Sequence, residues 1–379
     1  MTYLTIHSEG AECRLALFLS PEGRGEAHAI IRSTLPCEPF QRQLECVREA
    51  AGTLADKVKD LTGRAMAPVF RRYFLSDPTN QAPLIEPSAD CAQSIVGQSP
   101  LDGTKVAEWV WLQEEGKCEN LGDGLWGNGS SQLWQGDCSE AQPGDSYMLT
   151  EKALDRMDKA LEGLGGSLAD HCMRTWFVVR DVDSNYKGVV AARNDVFDRI
   201  GLAYDTHFIA STGIGGFSPE PRQTVAFNAF ADLRLEEVDV TYLKGSTHLN
   251  PTAEYGVAFE RATATDYADR REVFVSGTAS IDNRGCIVAP GDIEAQTDRM
   301  LENIGVLLAE GDCGFEDVAH LIVYLRDAAD HAVVERIFAE RLPEVPRVIV
   351  LAPVCRPGWL IETECMAVKG MKTGSKVKY

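Results

Sequence analysis

The feature that most constrains this 379-residue chain is an internal repeat. From Glu151, EKALDRMDKALEGLGGSLADHCMRTWFVVRD reads as an amphipathic helix, an acidic loop containing glycine, and a strand ending in Arg180-Asp181. From Thr297, TDRMLENIGVLLAEGDCGFEDVAHLIVYLRD reads the same way and ends in Arg326-Asp327, 146 residues later. A second helix and closing strands follow in each window. A fainter third copy of the helix-then-strand half lies at Phe40 to Asp77 and ends FLSD. A helix covers only one face of a sheet, so units of this plan pack their sheets against each other. Pockets are then expected at the seams between units.

Read in order, Tyr3 to Ile6 and Cys13 to Leu19 are predicted strands, with a turn at SPEGRGEAH. Leu44, Val47, Ala51, Leu54 and Val58 fall on one stripe, which predicts a single helix from Phe40 to Leu61. PVFRRYFLSD is a strand, DPTNQAPLIEPSAD a long loop and VAEWVWLQ an aromatic strand. The glycines between Glu114 and Ser146 predict tight turns, since no phosphate-loop pattern is present. A helix from Thr150 to Leu164, capped by Thr150, precedes the strand Cys172 to Asp181 and the helix Asn185 to Gly201. A strand running into a glycine turn (Asp205 to Gly216) and a strand from Thr224 to Leu233 follow. Residues 236–269 read as a connector. The expected organisation is an N-terminal region, 1–235, with a divergent module at about 100–235 and a partial copy at 1–95, then the connector and a C-terminal domain at 270–379.

The formal net charge of −20 argues against nucleic-acid binding, which needs a concentrated positive field. It leaves room for a small anionic substrate, because a few arginines in one cleft reverse the local potential. The eleven cysteines are odd in number and scattered (Cys13, Cys37, Cys46, Cys91, Cys118, Cys138, Cys172, Cys286, Cys313, Cys355, Cys365), and no CxxC occurs. Reduced thiols in a cytoplasmic protein are the expectation. The N-terminus does not read as a signal peptide, and no apolar run is long enough to span a membrane. None of the seven histidines has a metal-ligand spacing, so neither a metal nor a cofactor is expected.

Strand alternation puts Glu362 and Glu364 of LIETE on one face. Two like charges there, if partly buried, raise one pKa and supply a proton donor or acceptor near neutrality. The blander reading is an exposed edge-strand pair. Arg347, 15 residues earlier, and Arg356 are candidate carboxylate binders, and each also fits a surface arginine. Cys355 reads first as a small buried hydrophobe, although Arg356 beside it can lower a thiol pKa. Tyr186, Arg193, Thr212, Gly213, Glu260 and Arg261 are candidates for a facing wall. Thr212-Gly213 can present backbone N–H groups to an anion only in a tight turn. The small residues Ser276 to Ala279 suit a pocket floor.

SGTASI, QTDRMLENIGVLL, DVAHLIVYLRD, VPRVIVLAP and LIETECMAV, in that order, resemble the RidA/YjgF superfamily over about 100 residues. The whole chain resembles the chorismatases more loosely, through RTWFVVRDVD, YKGVVAARNDVF and IASTGIGG. The resemblance implies an α/β (α+β) fold of tandem RidA/YjgF-like (chorismate-mutase-like) modules, mixed sheets with helices packed on one face. It implies conversion of chorismate to a hydroxybenzoate, or a dihydrodiol, plus pyruvate without a metal. Glu362 would be the general acid and Arg347 the fork that holds a carboxylate. Cys355 would tilt the product toward a hydroxybenzoate. RidA relatives imply an imine deaminase as an alternative and a homotrimer as a possible assembly. Non-catalytic binding of a small carboxylate is a third reading. The ribonuclease role attached to the superfamily is opposed by the charge.

Overall fold

In a computed structural model the described residues are 1–21, 23–114, 116–137, 143–235 and 239–371. They form three mixed sheets that share one strand order. The first contains β1 (Thr2–Ser8), β2 (Ala11–Leu19), β3 (Gly25–Ser33), β4 (Met66–Leu75), β5 (Ala92–Val96) and, beyond the short β6 (Ser99–Pro100), β7 (Val106–Glu114), ordered β1-β2-β3-β7-β4-β5. The second contains β8 (Glu119–Gly122), β9 (Leu125–Gly127), β10 (Gln132–Gln135), β11 (Cys172–Val179), β12 (Ala210–Gly215) and β13 (Val225–Asp232), ordered β8-β9-β10-β13-β11-β12. The third contains β14 (Val240–Leu243), β15 (Ala262–Asp266), β16 (Arg270–Ala279), β17 (Val318–Leu325), β18 (Arg347–Leu351) and β19 (Ile361–Gly370), ordered β14-β15-β16-β19-β17-β18, with β6 added beside β18.

Helices α1 (Phe40–Gly52) and α2 (Leu54–Thr62) cover the outer face of the first sheet, placing Phe40, Leu44, Val47, Leu54 and Val58 against Leu15, Ile31 and Val110. A four-residue α3 (Pro78–Gln81) follows β4. On the second sheet, α4 (Ser146–Gly163) and α6 (Val182–Arg199) bury Leu154, Met157, Val189 and Phe197 against Phe177 and Val179, with the single turn α5 (Leu168–His171) between them. On the third, α7 (Ile293–Glu310) and α8 (His331–Arg341) bury Met300, Ile304, Leu307 and Phe338.

The inner faces of all three sheets meet in one core. Trp109 and Trp111 from the first sheet contact Trp176 and Phe230 from the second at 6.2 Å and 5.2 Å between ring centroids, and Phe274 and His320 from the third at 6.3 Å and 4.2 Å. Because helices cover one face and a neighbouring sheet the other, the central strands are buried on both sides and read as nearly continuous apolar runs. In β4, Phe70 and Phe74 lie in the common core while Tyr73 and Leu75 lie under the helices.

The aspartate that closes each repeat has one local job, to start the next helical turn. Asp77 accepts a hydrogen bond from the Asn80 amide and Asp327 from the Ala329 amide, while Asp181 begins α6 in a left-handed conformation (φ 47°). Several sequence expectations are corrected. The helix over Phe40 to Leu61 is broken at Thr53, so it is two helices. The helix expected to be capped by Thr150 starts at Ser146, where Asp145 accepts from the Met148 amide. The glycine-rich segment contains β8, β9 and β10, and the loop after Asp77 contains α3 and leads into β5. The stretch read as a connector contributes β14 and β15 to the third sheet; its first residues, 236–238, and Cys138 lie outside the described residues. Among the described residues no helix is long and apolar enough to cross a membrane.

Candidate functional site

Shared strand order makes positions in the three sheets comparable. Trp109, Asn228 and Glu364 occupy one register, opposite Arg72, Trp176 and Ile322 respectively. Each reaches across a different seam. Glu364 pairs with Arg174 of the second sheet (2.7 Å), Asn228 accepts from Arg72 of the first (3.1 Å), and the Trp109 ring packs on His320 of the third. The seams thus close in a ring within one chain.

Only the seam between the third and second sheets has a carboxyl at the next inward position of the same strand, Glu362, where the other two sheets have Ala226 and Ala107. Glu362 is buried and has no hydrogen-bond partner among the described residues. Burial pushes its carboxyl up to about 8, and the negative charge of Glu364 adds to the shift against the pull of Arg174 and Arg261. Glu364 differs because it accepts from both Arg174 and the Trp176 indole at 2.7 Å. Of the two glutamates predicted to share a face, one is tied by two donors from the second sheet and the other is left able to keep a proton.

The surrounding backbone is shaped to admit that carboxyl. A Cβ on Gly277 would lie 2.1 Å from Glu362 Oε1, so any side chain there would push the carboxyl out of this position. Gly277 sits in the irregular stretch of β16 between Val275 and Thr278, and its amide donates to Thr212 Oγ1 (2.9 Å). Arg174 donates to the same hydroxyl oxygen (2.5 Å). A Cβ on Gly213 would meet the Tyr186 ring at 2.6 Å.

Around Glu362, a cavity of about 30 Å³ is lined by Tyr186, Arg193, Gly213, Arg261, Ala279, Cys355 and Arg356 among others. Arg193 projects from α6 into the seam and is almost fully buried. It donates weakly to Ser211 (3.4 Å), and its Nε and Nη2 atoms have no hydrogen-bond partner among the described residues. Arg261 donates to the Asn250 carbonyl and side chain. Both guanidinium groups lie over the ring of Phe259, at 5.7 Å and 5.4 Å. A buried cation that uses as few of its donors as Arg193 does is costly unless an anion completes it.

Four expected placements are corrected. Arg347 is not beside Glu362. It lines a separate cavity between the first and third sheets with Arg14, Arg32 and Asp102, pairs with Glu335 (2.8 Å) and donates to the Leu342 carbonyl. Glu260 accepts from Lys244 (2.6 Å) and the Phe208 amide and does not line the Glu362 cavity, because those partners hold its carboxylate elsewhere. Thr212 and Gly213 belong to β12, whose backbone is used in a parallel ladder with β11, so they form no anion-binding turn. Cys355 is not activated by Arg356: burial and the nearby Glu362 push its thiol up to about 12, outweighing Arg356, whose guanidinium lies over the Trp359 ring. Burial likewise raises the Tyr186 hydroxyl, with Cys355 next in effect.

Sequence reasoning missed Arg174, Trp176 and Phe259. The first two had a signal, since Arg174 and Trp176 stand two apart in the apolar run CMRTWFVV and therefore face the same way. Among the described residues no group of three or more His, Cys, Asp or Glu side chains is placed to hold a metal.

Residues 258–369 match the family model described as endoribonuclease L-PSP. A RutC family protein of Pyrococcus abyssi is 35% identical over 99 residues, covering 26% of this chain and 78% of that protein. A chorismatase of Streptomyces rapamycinicus is 37% identical over 214 residues, or 50% of this chain, which spans 62% of the chorismatase sequence. A chorismatase crystal structure superposes with a TM-score of 0.66 and 20% identity, covering 81% of this chain and 95% of that one. The chain therefore belongs to the RutC family, within the RidA/YjgF group, through its C-terminal domain, and its overall fold is chorismatase-like.

Proposed function

We propose that this chain converts chorismate to a hydroxybenzoate and pyruvate at the seam between its second and third sheets. The observation that carries this reading is Glu362, a buried carboxyl raised to about 8 with no hydrogen-bond partner among the described residues, which faces the same cavity as the buried guanidinium groups of Arg193 and Arg261. At neutral pH such a carboxyl is mostly protonated and can act as a general acid. Arg193 and Arg261 suit the two carboxylates of chorismate, with Arg356 a third cation in the lining. Glu362 gives its proton to the enolpyruvyl ether oxygen, the ring–oxygen bond breaks, and pyruvate leaves as its enol. Loss of one ring proton then makes the ring aromatic. Every atom of chorismate ends in the two products, whereas the dihydrodiol branch takes up one water.

A space of about 30 Å³ holds roughly one water molecule. The ring therefore enters only if the lining opens. Cys355 serves in this reading as a neutral thiol beside Tyr186 and the ring, and not as a thiolate nucleophile.

The test is pyruvate release from chorismate with aromatic products resolved by chromatography. Glu362→Gln is expected to lower the rate by about 10²- to 10⁴-fold without loss of fold. A wild-type protein that releases no pyruvate would sink the proposal, and hydrolysis of an imine instead would move the reading to a deaminase. Cys355→Ala is expected to retain pyruvate release while the dihydrodiol share of the product rises. An unchanged product ratio would remove Cys355 from the mechanism.

A further inference from the structure

The seam between the first and second sheets has the Glu362 register position filled by Ala226, yet it encloses a cavity of about 420 Å³, within the range of small-molecule sites. Its apolar wall comes from Ile95, Leu149 and Phe227. Its carboxyl comes from a different strand. Immediately after β10, Gly136 passes so close to the first sheet that a Cβ there would lie 2.5 Å from the Gln93 carbonyl oxygen. The next residue, Asp137, is thereby fixed across the seam. Its amide donates to the Gln93 carbonyl (2.8 Å), and its carboxyl accepts from the Ile95 amide (2.6 Å) and the Asn228 side chain (3.2 Å). Burial pushes the Asp137 carboxyl up to about 6.

Across the cavity, α4 presents Lys152 and Arg156. Arg156 is half-buried and makes no hydrogen bond or ion pair among the described residues. Glu220 in the same lining is occupied by Arg222 (2.7 Å). The cavity adjoins an open trough bordered by Lys152, Arg156 and Lys159, with Asp123 and Asp155 on the same lining and Asp155 paired to Arg199.

We infer that this seam is a second small-molecule site, taking an apolar carboxylic acid that also carries a hydroxyl or amino group. The ligand's carboxylate meets Arg156 and Lys152, its apolar body lies on Ile95, Leu149 and Phe227, and its donor reaches Asp137. This site does not depend on the chemistry assigned to Glu362.

Isothermal titration calorimetry with 4-hydroxybenzoate and benzoate tests it on the full chain. The wild type and Glu362→Gln are expected to bind 4-hydroxybenzoate alike. Arg156→Gln, and Ala153→Trp, which fills the cavity from α4, are expected to weaken binding at least about tenfold, equivalent to about 1.4 kcal/mol. Benzoate, lacking the hydroxyl, is expected to bind several-fold more weakly to the wild type. Thermal melts of both α4 variants should match the wild type. Absence of binding to the wild type overturns the inference. So does binding that survives both α4 variants but is lost in Arg193→Gln, because the ligand then sits at the other seam. Equal affinity for benzoate overturns the role of Asp137.

Discussion

At the seam between the third and second sheets, inward positions of β19 carry Glu364, paired with Arg174, and Glu362, whose cavity is lined by Arg193 and Arg261. At the seam between the first and third sheets, the same register in β7 carries Ala107 and Trp109, and Trp109 packs on His320. The first seam carries the Arg174–Glu364 pair beside the buried Glu362 carboxyl, whereas the second combines stacked aromatic rings with a buried Arg270–Glu26 ion pair. Identical subunits around a threefold axis would have to place the same residues at every seam. Here each seam is written by its own pair of strands, so an acid site and a stacked aromatic contact coexist in one core. The C-terminal module therefore cannot be read alone. Its Glu362 faces the second sheet, and its Arg347 faces the first.

The largest effects are expected from truncating the arginine that crosses the third–second seam and the one that crosses the first–second seam. Arg174→Ala leaves Glu364 buried without its cation and is expected to destabilise the fold by about 3–5 kcal/mol in urea denaturation. Arg72→Ala removes a partner of the neutral Asn228 and is expected to cost about 1–3 kcal/mol. Equal losses would mean that the ion pair does not set the third–second seam apart.

The pH dependence of stability should run in opposite directions for Glu362 and for His320. Glu362 has a raised folded-state value, so its contribution is full below its ordinary value of 4.5 and is lost as pH rises toward about 8. Wild type should therefore lose at least about 1 kcal/mol more than Glu362→Gln between pH 5 and pH 9. The comparison with the variant matters because Glu272, buried beside Glu26, is also raised to about 8. His320 is lowered well below 6.5 by burial, with His28, Arg72 and Arg174 adding positive charge around it. Its contribution is full above 6.5 and is lost as pH falls below that value. His320→Phe should flatten the acid limb of the stability curve, and an unchanged limb would show that another group titrates there.

The smallest effect is expected at Arg347. Its ion pair is with a half-exposed glutamate, and its cavity is not the one around Glu362. Arg347→Ala should change pyruvate release less than about threefold while costing on the order of 1 kcal/mol of stability. A fall comparable with that of Glu362→Gln would show that the two seams act together.

Much of the fold was legible because it rests on local rules. Helical periodicity, buried strands and the closing aspartate recur at Asp77, Asp181 and Asp327, each set by neighbours within a few residues. Glu362 and Glu364 were legible as a same-face pair for the same reason, since strand alternation is a local property. Their different fates were not. Glu364 meets Arg174, 190 residues away, and Glu362 has no hydrogen-bond partner among the described residues. Short strands such as β9 were hidden because their hydrogen bonds lie with β8 and β10, and the glycines around them signal only turns. Arg347 and Glu362, 15 residues apart, read as one site until the sheet turned them toward different neighbours. By itself the sequence determined the repeated unit and the residue types each unit presents. Only the tertiary structure decided which unit faces which, because seam contacts join strands distant in sequence, and their electrostatics depend on burial and on the charge across the seam.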